Sequence, residues 1–245
     1  MNENTNGRTV ALVTGANKGI GYEIAAGLGA LGWQVGVGAR DERRREDAVR
    51  ALRAGGADAF GVPLDVTDDD SATAAAELLA ERFGRLDVLV NNAAVAGGWS
   101  QQPSTADLAA VRLVMETNVL GVIRMTNAVL PLLRRSAAPR IVNMSSAVGS
   151  LTLQSDPEAF TGPASAAYGP SKTLLNAVTL QYAKELSDTG ILVNLACPGY
   201  CDTDLNGHRG TRTPAQGAVI AVRLATLPAG GPNGQFFNED GPLPW

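Results

Sequence analysis

The sequence predicts one α/β domain: a parallel sheet of about seven strands with helices on both faces. Three observations predict it. Near the start, Val10-Ala11-Leu12-Val13 is a continuous apolar run of the kind that forms a buried parallel strand, and Glu23 to Leu31 follows at helical spacing. Strand-like and helix-like segments then alternate along the rest of the chain. No Pro/Gly/Ser linker, charge block or internal repeat divides the 245 residues, which favours a single domain over 8–245 after a polar, disordered tail at 1–7.

The first strand runs into Thr14-Gly15-Ala16-Asn17-Lys18-Gly19-Ile20-Gly21. A strand, a glycine-rich turn and a helix bring backbone N–H groups and the positive end of a helix to one point, which suits a phosphate. One glycine makes the tight turn, one lets a pyrophosphate approach the backbone, and one lets helix pack on strand. Dinucleotide binding is the expectation. A second strand at Gln34–Ala39 ends in Arg40, and Asp41 to Gly55 reads as a helix with Asp41 as its N-cap. The third strand, Ala59–Leu64, ends in Asp65-Val66, and Thr67 is read as the cap of a helix to about Phe83. Leu86–Val90 is a fourth strand, followed by Asn91-Asn92-Ala93-Ala94. One long helix is expected from Thr105 to Arg135, bent or broken near its end by Pro131. Arg140–Met144 precedes Ser145-Ser146, a helix is expected at Ala164–Asp188, and Ile191–Ala196 leads to Cys197-Pro198-Gly199. A loop at Gly207–Pro214, a helix at Ala215–Leu227 and a short strand at Gly234–Phe237 complete the chain.

This alternation is the Rossmann-type, doubly wound arrangement, in which ligands sit beyond the carboxyl ends of the strands. Thr14–Gly21, Arg40, Asp65, Asn92, Ser146 and Pro198-Gly199 all fall there.

Composition excludes several classes. With 45% hydrophobic and 18% charged residues the chain has an ample core, and a net charge of −4 makes no electrostatic case for nucleic acid. Arg43-Arg44-Arg45 lies among acids and reads as a solvated helix start. No apolar stretch approaches the roughly 18 residues of a membrane span, and the start of the chain has no apolar core of a signal peptide. Cys197 and Cys201, with one histidine in the chain, cannot build a zinc site, so no metal is expected; they fit reduced thiols and a cytoplasmic location.

Tyr168-Gly169-Pro170-Ser171-Lys172 places a phenol and an ammonium one helical turn apart. A nearby cation stabilises phenolate, lowering a tyrosine pKa and letting the hydroxyl exchange protons with an alcohol or carbonyl oxygen. Only Lys18, Lys172 and Lys184 are lysines among the 20 basic residues, and two of the three fall inside motifs. Where arginine would serve any surface role, a lysine there suggests a need for a compact charge.

Taken together, Thr14-Gly15-x-x-x-Gly19-x-Gly21, Asp65-Val66, Asn91-Asn92-Ala93, Asn118, the serine after the fifth strand, Tyr168-x-x-x-Lys172 and Pro198-Gly199 with Thr203 resemble the short-chain dehydrogenase/reductases, from Thr9 to about Phe237. Gly-Ala-Asn-Lys-Gly-Ile-Gly, Ala-Arg-Asp after strand two and the Gly-Pro-x-Gly-x-Phe-Phe tail look like the carbonyl-reductase-like branch, which implies NADPH-dependent reduction of carbonyl compounds. The resemblance implies that Tyr168 is the general acid, that Lys172 lowers its pKa and holds the nicotinamide ribose, and that Ser146 hydrogen-bonds the carbonyl oxygen. Ser145 competes for that serine role. It further implies that Asn118 places a water linking Lys172 to solvent. Arg40 and Lys18 would hold a 2′-phosphate, which favours NADP(H) over NAD. Gly15, Asn17, Gly19, Ile20 and Gly21 would cradle the pyrophosphate. Asp65 and Val66 would hold the adenine, Asn92 and Ala93 would line the cofactor, and Pro198, Gly199 and Thr203 would contact the nicotinamide amide and pyrophosphate.

Ala94 stands where the family has glycine, which matters if that position needs a positive φ. Ser146 and Tyr168 are 22 positions apart, wider than most of the family, so a substrate-rim segment is expected at about 147–164 and a substrate loop at about 200–214. A long insertion at that rim goes with monomers in this branch; this one is short, and monomer and homo-oligomer both stay open. Ala94, Val95, Trp99, Val148, Leu153, Phe160, Tyr200, Leu205 and His208 are candidate pocket walls; they are mostly apolar without clustered charge, which suggests a small apolar carbonyl or alcohol substrate. The rival readings are a non-catalytic NADP-binding regulator, an NAD-linked alcohol dehydrogenase and an NAD-linked enzyme of sugar nucleotides.

Overall fold

The computed structural model describes residues 7–98, 102–159 and 162–245. Seven parallel strands form one sheet: β1 Val10–Thr14, β2 Gln34–Ala39, β3 Asp58–Pro63, β4 Val88–Asn91, β5 Arg140–Met144, β6 Leu192–Ala196 and β7 Phe236–Phe237. Their spatial order is β3-β2-β1-β4-β5-β6-β7. The order reverses between β1 and β4, which pair through Ala11–Val88, Leu12–Leu89 and Val13–Val90. That reversal opens a crevice at the carboxyl ends of both strands.

Helices cover both faces, as expected. On one side lie α1 Gly19–Ala30, α2 Glu42–Ala54 and α8 Pro214–Ala225; on the other lie α3 Asp69–Phe83, α5 Gly121–Leu133 and α7 Tyr168–Glu185. Two short helices, α4 Leu108–Met115 and α6 Leu151–Ser155, fill out the order. The period of two along β1 builds both cores at once. Ala11 and Val13 pack with Ile24, Leu28 and Leu224, while Val10 and Leu12 pack with Leu79, Met125 and Leu133. All of these are buried.

Asp41 caps α2 by accepting from the Arg44 N–H at 2.9 Å, as expected. Four expectations are corrected. The cap of α3 is Asp68, which accepts from the Ser71 N–H; the Thr67 hydroxyl instead donates to the Asp65 carboxylate at 2.7 Å. The long helix predicted over 105–135 is a 3-10 turn at Pro103–Thr105, α4, a π turn at Glu116–Leu120 and α5. The π turn closes through the Gly121 N–H on the Glu116 carbonyl, one residue wider than an α-turn. It turns the Asn118 side chain inward to partners on other segments. The helix predicted from Ala164 begins at Tyr168, because the Ser165 hydroxyl accepts from the N–H of Ala167 and Tyr168 and so ends the preceding loop. The last strand is two residues, Phe236–Phe237. The rim segment contains a 3-10 turn at Ala147–Gly149 and α6, capped by Ser150. Of the tail expected at 1–7, all but Gly7 lies outside the described residues, as do the pocket candidates Trp99 and Phe160.

Candidate active site

The two strands flanking the crevice are tied together at their ends. The Thr14 hydroxyl accepts from the N–H of Asn92 and of Ala93, at 2.9 and 3.0 Å, and the Asn92 amide donates to the carbonyls of Thr14 and Gly15, at 2.9 and 3.3 Å. The Asn92 side chain therefore shapes the glycine-rich turn from behind. Gly15 has φ +64, and a Cβ there would sit 2.9 Å from the Ala93 Cα; a Cβ on Gly21 would sit 2.5 Å from both the Asn92 amide and the Gly15 carbonyl. Lys18 is the extended N-cap of α1 and offers no side-chain cap, so the first N–H groups of the helix face the crevice without one. Asn17 and Ile20 are half-buried in the turn. Across the crevice, the Thr203 methyl approaches Gly19. Pro198 and Gly199, the latter with φ +75, follow β6 on that same lip.

Beyond β2, the Arg40 guanidinium faces the Asp65 carboxylate at 3.9 Å and is largely exposed. Burial works against the Asp65 charge, but bonds from the Thr67 hydroxyl and N–H, with Arg40 and Arg124 nearby, hold its pKa below the ordinary value. Val66 is buried, and its carbonyl accepts from Arg124 at 2.7 Å. Arg124 also pairs with Asp69 and, at 2.8 Å, with Glu116, so it binds the segment after β3 to the π turn. Nothing in the sequence pattern distinguished this arginine from the others.

The π turn carries the fully buried Asn118. Its Oδ1 accepts from the Val95 N–H at 2.9 Å, and its amide donates to the Val95 carbonyl at 2.9 Å and to the Ser171 hydroxyl at 3.0 Å. The Ser171 hydroxyl donates onward to the Tyr168 carbonyl at 2.7 Å. These bonds use both amide N–H groups and one acceptor position of Oδ1, so a water at this residue is held by the main chain or by the remaining acceptor position.

The paired serines part at the end of β5. Ser145 is buried and donates to Asn176 at 2.6 Å; Ser146 is half-buried and hydrogen-bonds the Tyr168 phenol. Lys172 is buried, donates to the Met144 carbonyl at 2.7 Å and stands 5.5 Å from the centre of the Tyr168 ring. Burial pulls its pKa down to about 8. The tyrosine pKa, expected below its ordinary value, lies above it. Burial is the largest influence and pushes the phenol up, with only the Ser146 bond opposing it. The ammonium is spent on Met144 instead of the hydroxyl. Tyr168 is thus a protonated acid at neutral pH. Beside it, burial also pushes the Cys197 thiol up and keeps it neutral.

Ala94 has an ordinary negative φ; His208, at φ 60, is the one non-glycine with a positive value among the described residues. Around His208 the expected absence of clustered charge does not hold. Its Nδ1 and Nε2 meet Asp202 and Asp204, each at 2.8 Å, and Asp204 is also bonded by the Lys18 ammonium. The segment after β6 therefore carries clustered charge.

Among the described residues no group of three or more His, Cys, Asp or Glu could hold a metal ion, and no helix is long and apolar enough to cross a membrane. The family model for short chain dehydrogenases matches residues 9–213. A short-chain dehydrogenase of Penicillium roqueforti is 37% identical, with 89% of each chain covered. The NADPH carbonyl reductase 1 of Rattus norvegicus is 34% identical over 97% of this chain and 99% of its own length. The structure of NADPH-bound carbonyl reductase from chicken fatty liver superposes with a TM-score of 0.85 at 28% identity, covering 97% of this chain and all of that one.

Proposed function

The chain belongs to the short-chain dehydrogenase/reductase family, as a carbonyl-reductase-like oxidoreductase, and from that premise we propose that it reduces a ketone, aldehyde or quinone of a small apolar molecule to the alcohol with NADP(H), reversibly. The observation that carries this reading is the convergence of Ser146, Tyr168 and Lys172 after β5, at the same carboxyl edge of the sheet as the glycine-rich turn after β1.

The residues around the turn fit the cofactor. Gly15 and Gly21 leave no room for side chains against Ala93 and Asn92, which keeps the turn tight and its backbone N–H groups bare for a pyrophosphate, and Lys18 with Arg40 offers two cations at the end where a 2′-phosphate would lie. The N–H groups of Asn17 to Gly21 and the Thr203 side chain hold the pyrophosphate, Asp65 and Val66 the adenine, and Pro198 and Gly199 the nicotinamide end. Ala93 lines the cofactor, and Asn92 acts through the turn it braces. When bound, NADPH supplies a hydride to the carbonyl carbon.

The chain's own groups handle the proton and the charge. The Ser146 hydroxyl donates a hydrogen bond to the carbonyl oxygen and stabilises the negative charge that grows there. The Tyr168 O–H breaks and its proton forms the new O–H of the alcohol. The phenol is protonated at neutral pH, and the buried Lys172 ammonium, 5.5 Å from the ring centre, opposes the cost of burial by stabilising the phenolate once the proton has left. Lys172 also holds the nicotinamide ribose. The phenolate then regains a proton from solvent through Lys172 and a water held at Asn118 in the π turn.

Absorbance at 340 nm, followed with NADPH or NADH and a panel of small aldehydes, ketones and quinones, tests the reading. NADPH oxidation that Tyr168→Phe abolishes is the expected result. Tight NADPH binding without turnover of any carbonyl would favour a regulator on the same fold, and a preference for NADH would remove the role given to Arg40 and Lys18.

A further inference from the structure

Both cations that would receive a 2′-phosphate already face a carboxylate. Arg40 faces Asp65 from the same side of the crevice, at 3.9 Å and without a hydrogen bond. Lys18 is different, because its ammonium reaches across the crevice to Asp204 on the segment after β6. That link joins the two lips where Thr203 meets Gly19. Asp204 does not hold it alone. The other Asp204 oxygen takes the His208 ring, whose far nitrogen takes Asp202. The 3-10 turn Asp204–Asn206 is fixed by a reciprocal bond pair between Thr203 and Asn206, and the Asn206 amide donates to the Cys201 carbonyl at 2.6 Å. Asp204 is therefore a carboxylate built into its loop, aimed at the cation of the opposite lip.

We propose that Asp204 is a cofactor-specificity residue, a counter-anion that occupies the Lys18 ammonium until a 2′-phosphate displaces it. The inference rests on the reading that Lys18 receives that phosphate. A phosphate monoester carries nearly two charges and three acceptor oxygens, whereas Asp204 offers one charge shared with His208. The exchange therefore runs toward the phosphate. A nucleotide without a 2′-phosphate leaves Lys18 on Asp204 and gains nothing from it. After the exchange Asp204 retains only His208, so one lip of the crevice is released from the other as the phosphate arrives. Asp204 thus lowers affinity for NADPH, leaves NADH unaffected, and couples the adenosine end of the cofactor to the segment at 200–214.

Dissociation constants for NADPH and NADH, measured by calorimetry on the full chain, test this without reference to turnover. Both partners of the Lys18–Asp204 pair are about half exposed, so a change of about two- to five-fold is expected, the range of solvent-exposed ion pairs. Asp204→Asn should tighten NADPH by that factor and leave NADH within error. Lys18→Gln should weaken NADPH, and adding Asp204→Asn to it should change nothing further. Weaker binding of both nucleotides in Asp204→Asn would overturn the proposal, since it would mean the clasp closes over the cofactor. An unchanged NADPH-to-NADH ratio, or an Asp204→Asn effect that persists without Lys18, would overturn it as well. The functional reading fails separately, in the unaltered protein, if NADPH binds no more tightly than NADH.

Discussion

Replacing Asn118 by alanine removes one amide and strands three groups. The Val95 N–H, the Val95 carbonyl and the Ser171 hydroxyl all lose their bond to the fully buried side chain, at 2.9, 2.9 and 3.0 Å. An unsatisfied buried polar group costs about 1–3 kcal/mol. Val95 is half-buried, so water recovers part of that, and Ser171 keeps its bond to the Tyr168 carbonyl. The sum falls at about 2–4 kcal/mol. At about 2–4 °C per kcal/mol for a chain of this size, Tm should fall by roughly 5–15 °C. Thermal unfolding followed by circular dichroism reads this directly. Turnover of NADPH should fall as well, with KM for NADPH little changed, because the π turn and the first turn of α7 lose their common anchor. A variant that unfolds within about 2 °C of the unaltered protein would refute the assignment of the side chain to Val95 and Ser171.

The paired serines should separate cleanly. Ser146→Ala is expected to lower kcat by about 10²–10³-fold with stability unchanged, while Ser145→Ala should cost about 1–2 kcal/mol through Asn176 and leave kcat within a few-fold; urea melts beside 340 nm assays distinguish them. Lys172 has a folded pKa near 8 against an ordinary 10.5, so between those values the unfolded chain binds the extra proton and stability rises with pH. Over pH 8 to 10 the unaltered protein should gain roughly 2–3 kcal/mol relative to Lys172→Met in denaturant titrations, and parallel curves would exclude the burial assigned to the ammonium. His208 is raised above 6.5 by Asp202 and Asp204, so its hold on the loop is complete below 6.5 and is lost as pH climbs through the raised value. Limited proteolysis at 200–214 should accelerate with pH over that window in the unaltered protein and show no such rise in His208→Gln.

The sheet was legible in the sequence because parallel strands are buried on both faces and read as unbroken apolar runs, as at Val10–Val13 and Val88–Val90. The site residues were legible where chemistry forces both type and spacing, as in the glycines of the turn and in Tyr168 with Lys172. What escaped was decided by contacts between distant segments. Asn118 was named by the resemblance, but the break in its helix was not, because that break goes with bonds to Val95 and Ser171, which lie 23 and 53 residues away. Thr67 and Asp68 are both good caps, and the choice fell to Asp68 because Asp65 had already engaged the threonine hydroxyl. The Lys18–Asp204 link spans 186 positions and has no local signature. The direction of the Tyr168 shift also required the surroundings, since proximity of a cation predicts one sign and burial the other.

The π turn at Glu116–Leu120 puts one extra residue into an otherwise continuous helical stretch. One residue of an α-helix is about 100° of rotation. α4 and α5 are consequently out of phase by that angle, and α4 buries Val114 alone where α5 buries a full stripe through Met125, Val129 and Leu133. A deletion of a single residue between 116 and 120 would restore regular helical bonding and still ruin the protein's geometry, by swinging Asn118 off Val95 and Ser171. The segment should tolerate many substitutions on its outer side but no change in its count of residues, a constraint that single-substitution scanning would miss and a deletion scan would find at once.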